Sequence, residues 1–241
     1  MTIELSRTDR RPAGWSTRAM LLAAAFAVSQ PGSVMAAGDE DPMLARDCAP
    51  GAGCTQSWTL TSRLGHILED YENRLGPRNA AYRLLGIEFT TGPRPRIWYP
   101  NFGSGPNSMI VQLTRRARRQ ADLALFQLAH EAFHLIAPIR PGTQASVFEE
   151  GLASFFATRY LEANRIASPR AFLGESAYRT AHDVIARTAS RYTDFDAHLR
   201  RLRELNGGFS PVSPDEIRRA FPDIPARDAR LLAASFKAGD G

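Results

Sequence analysis

The sequence predicts an α+β domain that is mostly helical and has a small β-sheet ahead of its principal helices. Three short runs rich in β-branched and aromatic residues, separated by glycine and proline turn signals, occupy 87–91, 96–99 and 109–114. Apolar residues at helical spacing precede these runs and continue through most of the chain after residue 115. The 241 residues are enough for one packed domain, which we place at 57–241.

Residues 1–36 have the pattern of a secretory signal peptide. Basic residues are followed by the apolar run 19–28, and the small residues before Ala37 are typical of a cleavage site. The apolar run is too short to cross a bilayer, so cleavage is favoured over anchoring. We therefore expect an exported protein, periplasmic or secreted, with no stable membrane insertion after cleavage.

The segment 37–56, rich in glycine, proline and acidic residues, is predicted to be irregular and exposed. It contains the chain's two cysteines, Cys48 and Cys54. In an exported protein their spacing predicts a disulfide that closes a small loop. The alternative, a metal site with two cysteine ligands, lacks partner ligands nearby in the sequence.

The first helix is predicted over 61–75, where Leu64, Ile67, Leu68 and Tyr71 follow helical spacing. A second, short helical piece is predicted over 78–85, ahead of Gly86. The three strand-like runs then form the sheet. We expect the last run to lie near the helix that follows it, where an extended substrate could pair with an exposed strand edge.

The formal net charge of +5 is too small to predict a nucleic-acid partner. One short basic run, 115–119, is predicted to open the central helix. A solvated first turn is favoured there over a site for an anionic partner, even though cations at a helix N-terminus oppose its dipole.

The central helix carries the motif His130-Glu131-Ala132-Phe133-His134. Histidines four residues apart lie on one helix face and can bind a single zinc ion, with the glutamate between them as general base. The flanking residues are apolar almost all round, so the helix is predicted to be buried. Unpartnered imidazoles and a carboxylate would be costly there, and a metal ion removes that cost. A metal site is therefore favoured over two histidines on a wet surface.

A third protein ligand is expected on the next predicted helix, 144–161, which carries the acidic pair Glu149 and Glu150. A further histidine at the extended spacing is absent, and both cysteines lie far away. Periodicity does not choose between the two acids, because this helix is apolar around most of its surface. Glu150 shares a stripe with small residues that would allow close approach to the histidine helix, namely Ala153, Ser154 and Ala157.

Two motifs together resemble the gluzincin clan of metallopeptidases, which includes thermolysin-like enzymes and metalloaminopeptidases: His130-Glu131-x-x-His134 and Glu150-Gly151-Leu152-Ala153. The resemblance implies a zincin-like fold whose small sheet packs on the histidine helix. It also implies one Zn²⁺ bound by His130, His134 and Glu150. Glu149 is then a neighbouring acid, either on the surface or supporting a ligand. The chain lacks the large extra domains of the aminopeptidases and resembles a minimal core of the clan.

A further resemblance lies in 177–184, which is similar to the Tyr-x-x-Gly/Ala-x-x-Val segment of aminopeptidase-like gluzincins. In that segment the tyrosine hydroxyl stabilises the tetrahedral oxyanion. The resemblance implies this role for Tyr178, with His182 as second candidate. The residues alone also fit Tyr178 as a core aromatic. This third helix is predicted to begin at Ser168 and Pro169, and shorter helices follow at 195–205, 214–221 and 226–236.

These expectations describe a zinc-dependent peptidase that hydrolyses a peptide or protein substrate with a metal-activated water and Glu131 as general base. Two alternatives stay open. One is a catalytically inactive, zincin-fold binding module of the cell envelope, which would have no use for Glu131. The other is a zinc hydrolase of a non-peptide amide, such as a cell-wall component. The sequence does not distinguish endopeptidase from exopeptidase.

Overall fold

A computed structural model describes 59–100, 107–139, 142–166 and 168–237, together with the backbone of 45–49 and 53–58. These residues form an α+β structure that is mostly helical, which confirms the predicted class. None of the helices in this part of the chain is both long enough and apolar enough to cross a membrane. The predicted signal peptide lies outside the described residues.

The first elements are two short antiparallel strands, β1 (Ala45–Ala49) and β2 (Gly53–Trp58). The prediction of irregular structure over 37–56 is therefore wrong for the strand residues. Backbone pairing does not need the side-chain periodicity that was missing from this segment. Cys48 is the ladder partner of Cys54. Their side chains lie outside the described residues, so the disulfide stays a prediction.

Helix α1 (Leu60–Leu75) forms as predicted. The Thr59 side chain accepts a hydrogen bond from the Ser62 N–H and caps the N-terminus. The helix ends at Gly76, whose φ of +87° suits glycine. Its apolar stripe is buried, as the helical spacing indicated: Leu64, Ile67, Leu68 and Tyr71.

A three-stranded sheet follows, in the order β3-β5-β4, from β3 (Arg83–Thr90), β4 (Arg96–Trp98) and β5 (Ser108–Thr114). Strand β5 pairs parallel with β3 and antiparallel with β4. The predicted helical piece 78–85 is wrong, because its last residues already belong to β3. They pair with the first residues of β5, and these long-range hydrogen bonds override the local helical preference.

A 3₁₀ helix (Arg115–Arg119) leads from β5 into helix α2 (Ala121–Ile136). The basic run therefore does not open α2 itself. Gln120 between them is extended, with φ −139°, and this breaks the helix. The predicted proximity of β5 to α2 is confirmed, because the Gln127 Oε1 of α2 accepts hydrogen bonds from the Thr114 N–H and hydroxyl.

The remaining chain is helical: α3 (Val147–Ala163), α4 (Ser176–Ala189), α5 (Phe195–Asn206), α6 (Pro214–Ala220) and α7 (Ala226–Ala233). The helix predicted to begin at Ser168 is divided. A 3₁₀ helix (Pro169–Leu173) ends at Gly174, whose φ of +61° no regular helix has, and α4 begins afterwards. Helix α7 ends earlier than predicted, because the next residues pair with the segment ahead of α3.

Candidate metal centre

Helix α2 places His130 and His134 one turn apart on the same face. The helix is held from several sides, since twelve of its sixteen residues are buried. Beside the histidines, the Phe133 ring packs against the rings of Phe156 and Phe209, with centroids 5.3 and 5.1 Å away. The two histidines are thus fixed by the core of the domain.

The first turn of α3 carries Glu149 and Glu150, and two sets of contacts position it. The Ser146 hydroxyl accepts a hydrogen bond from the Glu149 N–H at 3.2 Å and caps the helix. The chain after α7 also pairs with the start of α3, through a β-bridge between Ser235 and Ser146. The Val147 N–H donates to the Ala234 carbonyl, and the Phe236 N–H donates to the Ala145 carbonyl, both at 2.8 Å.

His130, His134 and Glu150 converge at the α2–α3 interface. One potential ligand atom from each lies within 4.8 Å of the other two. His130 Nε2 is 3.1 Å from Glu150 Oε2, and His134 Nε2 is 3.7 Å from Glu150 Oε1. The carboxylate of Glu150 therefore faces the Nε2 atoms of both histidines.

Glu149 is buried, with 1% of its surface exposed, so the surface interpretation of this acid is wrong. Its Oε1 lies 2.9 Å from His134 Nδ1. In the neutral form of His134, a hydrogen bond donated by Nδ1–H to this carboxylate would leave Nε2, which faces Glu150, free to bind a metal ion. Glu149 supports a histidine, and Glu150 completes the cluster.

The charges of the cluster act strongly on one another. Burial raises the pKa of Glu131 to about 7, although both histidines oppose this shift. Burial would lower the pKa of His134, but the carboxylates of Glu150 and Glu149 raise it to about 10. Burial would likewise raise the pKa of Glu150, and the histidines lower it instead. Imidazolium and carboxylate thus stabilise each other, which is also what a bound cation would do for the carboxylates.

The cluster lies in a cleft of about 290 Å³, whose lining includes Glu131, Tyr178 and residues of β4. The Tyr178 ring is 5.8 Å from the His130 ring, centroid to centroid. Burial, together with the nearby Glu150 and Glu131, raises the pKa of Tyr178, so its hydroxyl stays protonated and can donate a hydrogen bond.

His182, the second candidate for Tyr178's role, does not line this cleft. It is buried beside the Phe155 ring, and its Nδ1 lies 3.0 Å from Asp183 Oδ1. Of the two sequence candidates, only Tyr178 is brought to the histidine cluster.

Gly151 explains how α4 comes close enough to bring Tyr178 into the cleft. A Cβ on this residue would lie 2.9 Å from the Ala181 carbonyl oxygen and 2.8 Å from a side-chain carbon of Ile185, both on α4. Such distances are too short for any larger residue without movement of the backbone. The glycine following Glu150 is therefore the contact point of α3 with α4.

Tyr99 also lines the cleft, and no sequence motif had indicated it. Its hydroxyl donates to the Ile139 carbonyl at 2.8 Å, joining the chain after β4 to the chain after α2. Burial, then Tyr82 and Glu149, raise its pKa. Because this contact spans forty residues, no local pattern could have indicated it.

Comparisons of the chain with models of protein families, with curated proteins and with solved structures found no match.

Proposed function

We propose that the protein is a zinc-dependent peptidase with a zincin-like arrangement of helices. The observation that carries the proposal is the convergence of two histidines and one carboxylate, His130, His134 and Glu150, in a cleft that also contains Glu131. A scaffold or binding module has no need of this additional buried carboxylate.

The donor set fits zinc. Catalytic zinc sites commonly have two histidines and a glutamate, with a fourth position for water. Bonds of about 2.0–2.1 Å in a tetrahedral site put neighbouring donor atoms about 3.3 Å apart. The two carboxylate oxygens of Glu150 lie close to that value from the rings: Oε2 is 3.1 Å from His130 Nε2, and Oε1 is 3.7 Å from His134 Nε2.

A zinc ion held by His130, His134 and Glu150 would supply a water of lowered pKa and would polarise the carbonyl of the scissile bond. Glu131 takes a proton from the attacking water and passes it to the leaving amine. The hydroxyl of Tyr178 donates a hydrogen bond to the oxygen on which negative charge develops. Glu149 holds the His134 ring in orientation.

The shape of the cleft supports a peptide as substrate. Strand β4 is at an edge of the sheet, and Arg96 and Ile97 from this strand line the cleft. An extended peptide can add to such an edge through main-chain hydrogen bonds while its scissile bond lies beside the histidines. The predicted signal peptide would deliver this activity to the periplasm or the medium.

The first test is the metal content of the purified protein. We expect about one zinc per wild-type chain and little zinc in His134→Ala or Glu150→Ala. Glu162→Ala is the matched control, since Glu162 is exposed on the same helix as Glu150. Zinc retained in Glu150→Ala would contradict the assigned ligand.

The second test shows whether the protein is an enzyme or a binding module. Glu131→Gln should keep zinc and lose nearly all hydrolysis of a fluorogenic peptide library, because the amide cannot accept the proton. Full hydrolysis by this variant would rule out Glu131 as base. A zinc-loaded wild type that cleaves no peptide but releases product from cell-wall material would identify a non-peptide amide as substrate.

A further inference from the structure

A second cavity, of about 370 Å³, opens directly beside the metal centre. It lies between the first half of α2, the 3₁₀ helix Pro169–Leu173 and the turn after β3. Pro95, His130 and Tyr178 line both this cavity and the cleft of the histidine cluster. A substrate reacting in the cleft therefore has part of its length next to this cavity.

Apolar side chains form much of the cavity walls. They include Leu123, Phe126, Phe172 and Leu173, and the rings of Phe126 and Phe172 are 5.8 Å apart between centroids. Phe126 is one turn before His130 on α2, so a group held against it lies alongside a proposed zinc ligand. The volume is at the lower end of the range of about 300–1,000 Å³ found for ligand pockets, which suits one large side chain.

The charges around this cavity are mainly positive. Arg94 Nε lies 2.9 Å from Glu175 Oε1, so this pair is close to neutral. Arg115 and Arg116 also line the cavity and are exposed. Arg116 donates to Gln120, and neither arginine forms an ion pair with a carboxylate of the described residues. Two guanidinium groups are therefore available to a carboxylate of the ligand.

We propose that this cavity binds a large apolar side chain of the substrate and that Arg115 and Arg116 bind a carboxylate next to that side chain. The proposal rests on the proposed peptidase function and names its substrate class: peptides in which a large apolar residue adjoins a carboxylate. The carboxylate comes either from an acidic neighbour or from the C-terminus of the peptide.

Binding of small probes to the metal-free protein tests the cavity without requiring catalysis or zinc. N-Acetylphenylalanine, titrated by calorimetry, should bind at least about tenfold more tightly than N-acetylalanine, because the benzyl group loses water contact in the cavity. Its amide, which lacks the carboxylate, should bind about threefold to fivefold more weakly, as expected for a solvent-exposed ion pair. The α-amide of N-acetylphenylalanyl-aspartate, whose only carboxylate is the aspartate side chain, distinguishes the two sources of the charge.

Two pairs of variants locate the binding. The double variant Arg115→Gln/Arg116→Gln should abolish the difference between acid and amide. Arg118→Gln/Arg119→Gln, with the same charge change on the same 3₁₀ helix but outside the cavity lining, should keep it. Leu123→Trp fills the cavity and Phe172→Ala removes one wall, so each should reduce phenylalanine binding at least about tenfold. Leu231→Trp, at an exposed leucine, is their control.

Equal affinity for the phenylalanine and alanine probes would overturn the proposal. Equal loss of the acid–amide difference in both arginine double variants would overturn the assignment of Arg115 and Arg116. The proposed function can be refuted independently of the cavity. A protein that binds the probes but neither holds zinc nor cleaves peptides would contradict the peptidase function and support the binding role of the cavity. If the protein is a peptidase, kcat/KM should show the same preferences.

Discussion

The two sides of the cleft are built differently. The side formed by α2 and α3 carries the proposed ligands and rests on the core, where Phe133, Leu152 and Phe156 are almost wholly inaccessible to solvent. The opposite side is formed by β4, Tyr99 and Tyr178. These residues are partly exposed and are held by a few contacts with distant elements. Substitution of the core residues behind the first side should therefore change stability, whereas substitution of residues on the second side should change activity.

Phe133→Ala should have the largest effect on stability. The side chain is 1% exposed and lies between aromatic rings of α3 and the chain before α6. Removing it leaves a cavity behind the histidines and should lower the free energy of unfolding by about 3–5 kcal/mol. Denaturant unfolding measures this loss. Leu205→Ala is the control, because Leu205 is 64% exposed, and it should change stability by less than about 0.5 kcal/mol. Similar losses of stability in the two variants would contradict the core position of Phe133.

Tyr178→Phe should lower activity without lowering stability. Loss of the hydroxyl should reduce kcat by about 10²–10³, as expected for one oxyanion donor, with zinc content and unfolding unchanged. Tyr192→Phe is the reciprocal control, because the Tyr192 hydroxyl accepts a hydrogen bond from the Asp223 N–H at 2.8 Å, away from the cleft. That variant should lose about 1 kcal/mol of stability and keep its activity. Wild-type kcat in Tyr178→Phe would refute the proposed role.

Gly151→Ala tests the contact between the two sides. The added methyl group meets the Ala181 carbonyl on α4, so the helices must separate. We expect a loss of about 1–3 kcal/mol, accompanied by reduced kcat because α4 carries Tyr178. Gly65→Ala makes the same substitution in α1, where no atom lies within 4 Å of the new Cβ. It should instead stabilise the protein by about 0.5–1 kcal/mol. If Gly151→Ala and Gly65→Ala shifted the unfolding curve in the same direction, the close contact of Gly151 with α4 would be contradicted.

The side that rests on the core is also the side that the sequence predicts best. The histidines share a face because four residues span about one helical turn, and this depends on local geometry alone. Helix α1 was predicted for the same reason, from the spacing of its buried residues. The choice of Glu150 over Glu149 did not follow from spacing, and needed the resemblance to a family motif.

The second side depends on contacts between residues far apart in the chain. The hydrogen bond from Tyr99 to Ile139 and the ring contact of Tyr178 with Phe236 leave no periodic pattern in the segments that they join. The mistaken helix at 78–85 has the same origin, because strand β3 is stabilised by β5. A local pattern predicts which face of a helix is buried, but it does not say which distant segment covers that face.

The smallest predicted effect concerns α6, which contributes to neither side of the cleft. Its N-terminus has a capping box: the Ser213 hydroxyl accepts from the Glu216 N–H, and Glu216 Oε2 accepts from the Ser213 N–H at 2.7 Å. That backbone hydrogen bond lowers the pKa of Glu216. Because the folded state favours the ionised carboxylate, its contribution is complete above the pKa of the unfolded chain and is lost as the pH falls through the folded pKa.

Glu216→Gln should therefore cost about 0.5 kcal/mol near neutral pH, since solvent weakens such an exposed interaction. As the pH falls below the pKa of the unfolded chain and through the lowered pKa of folded Glu216, the difference between variant and wild type should shrink towards zero. Comparing the two proteins at each pH cancels the titration of all other groups. A difference that stays constant with pH would mean that the glutamate acts through its shape and not through its charge. Peptide hydrolysis should be unchanged in this variant, because α6 holds neither the ligands nor Tyr178 in place.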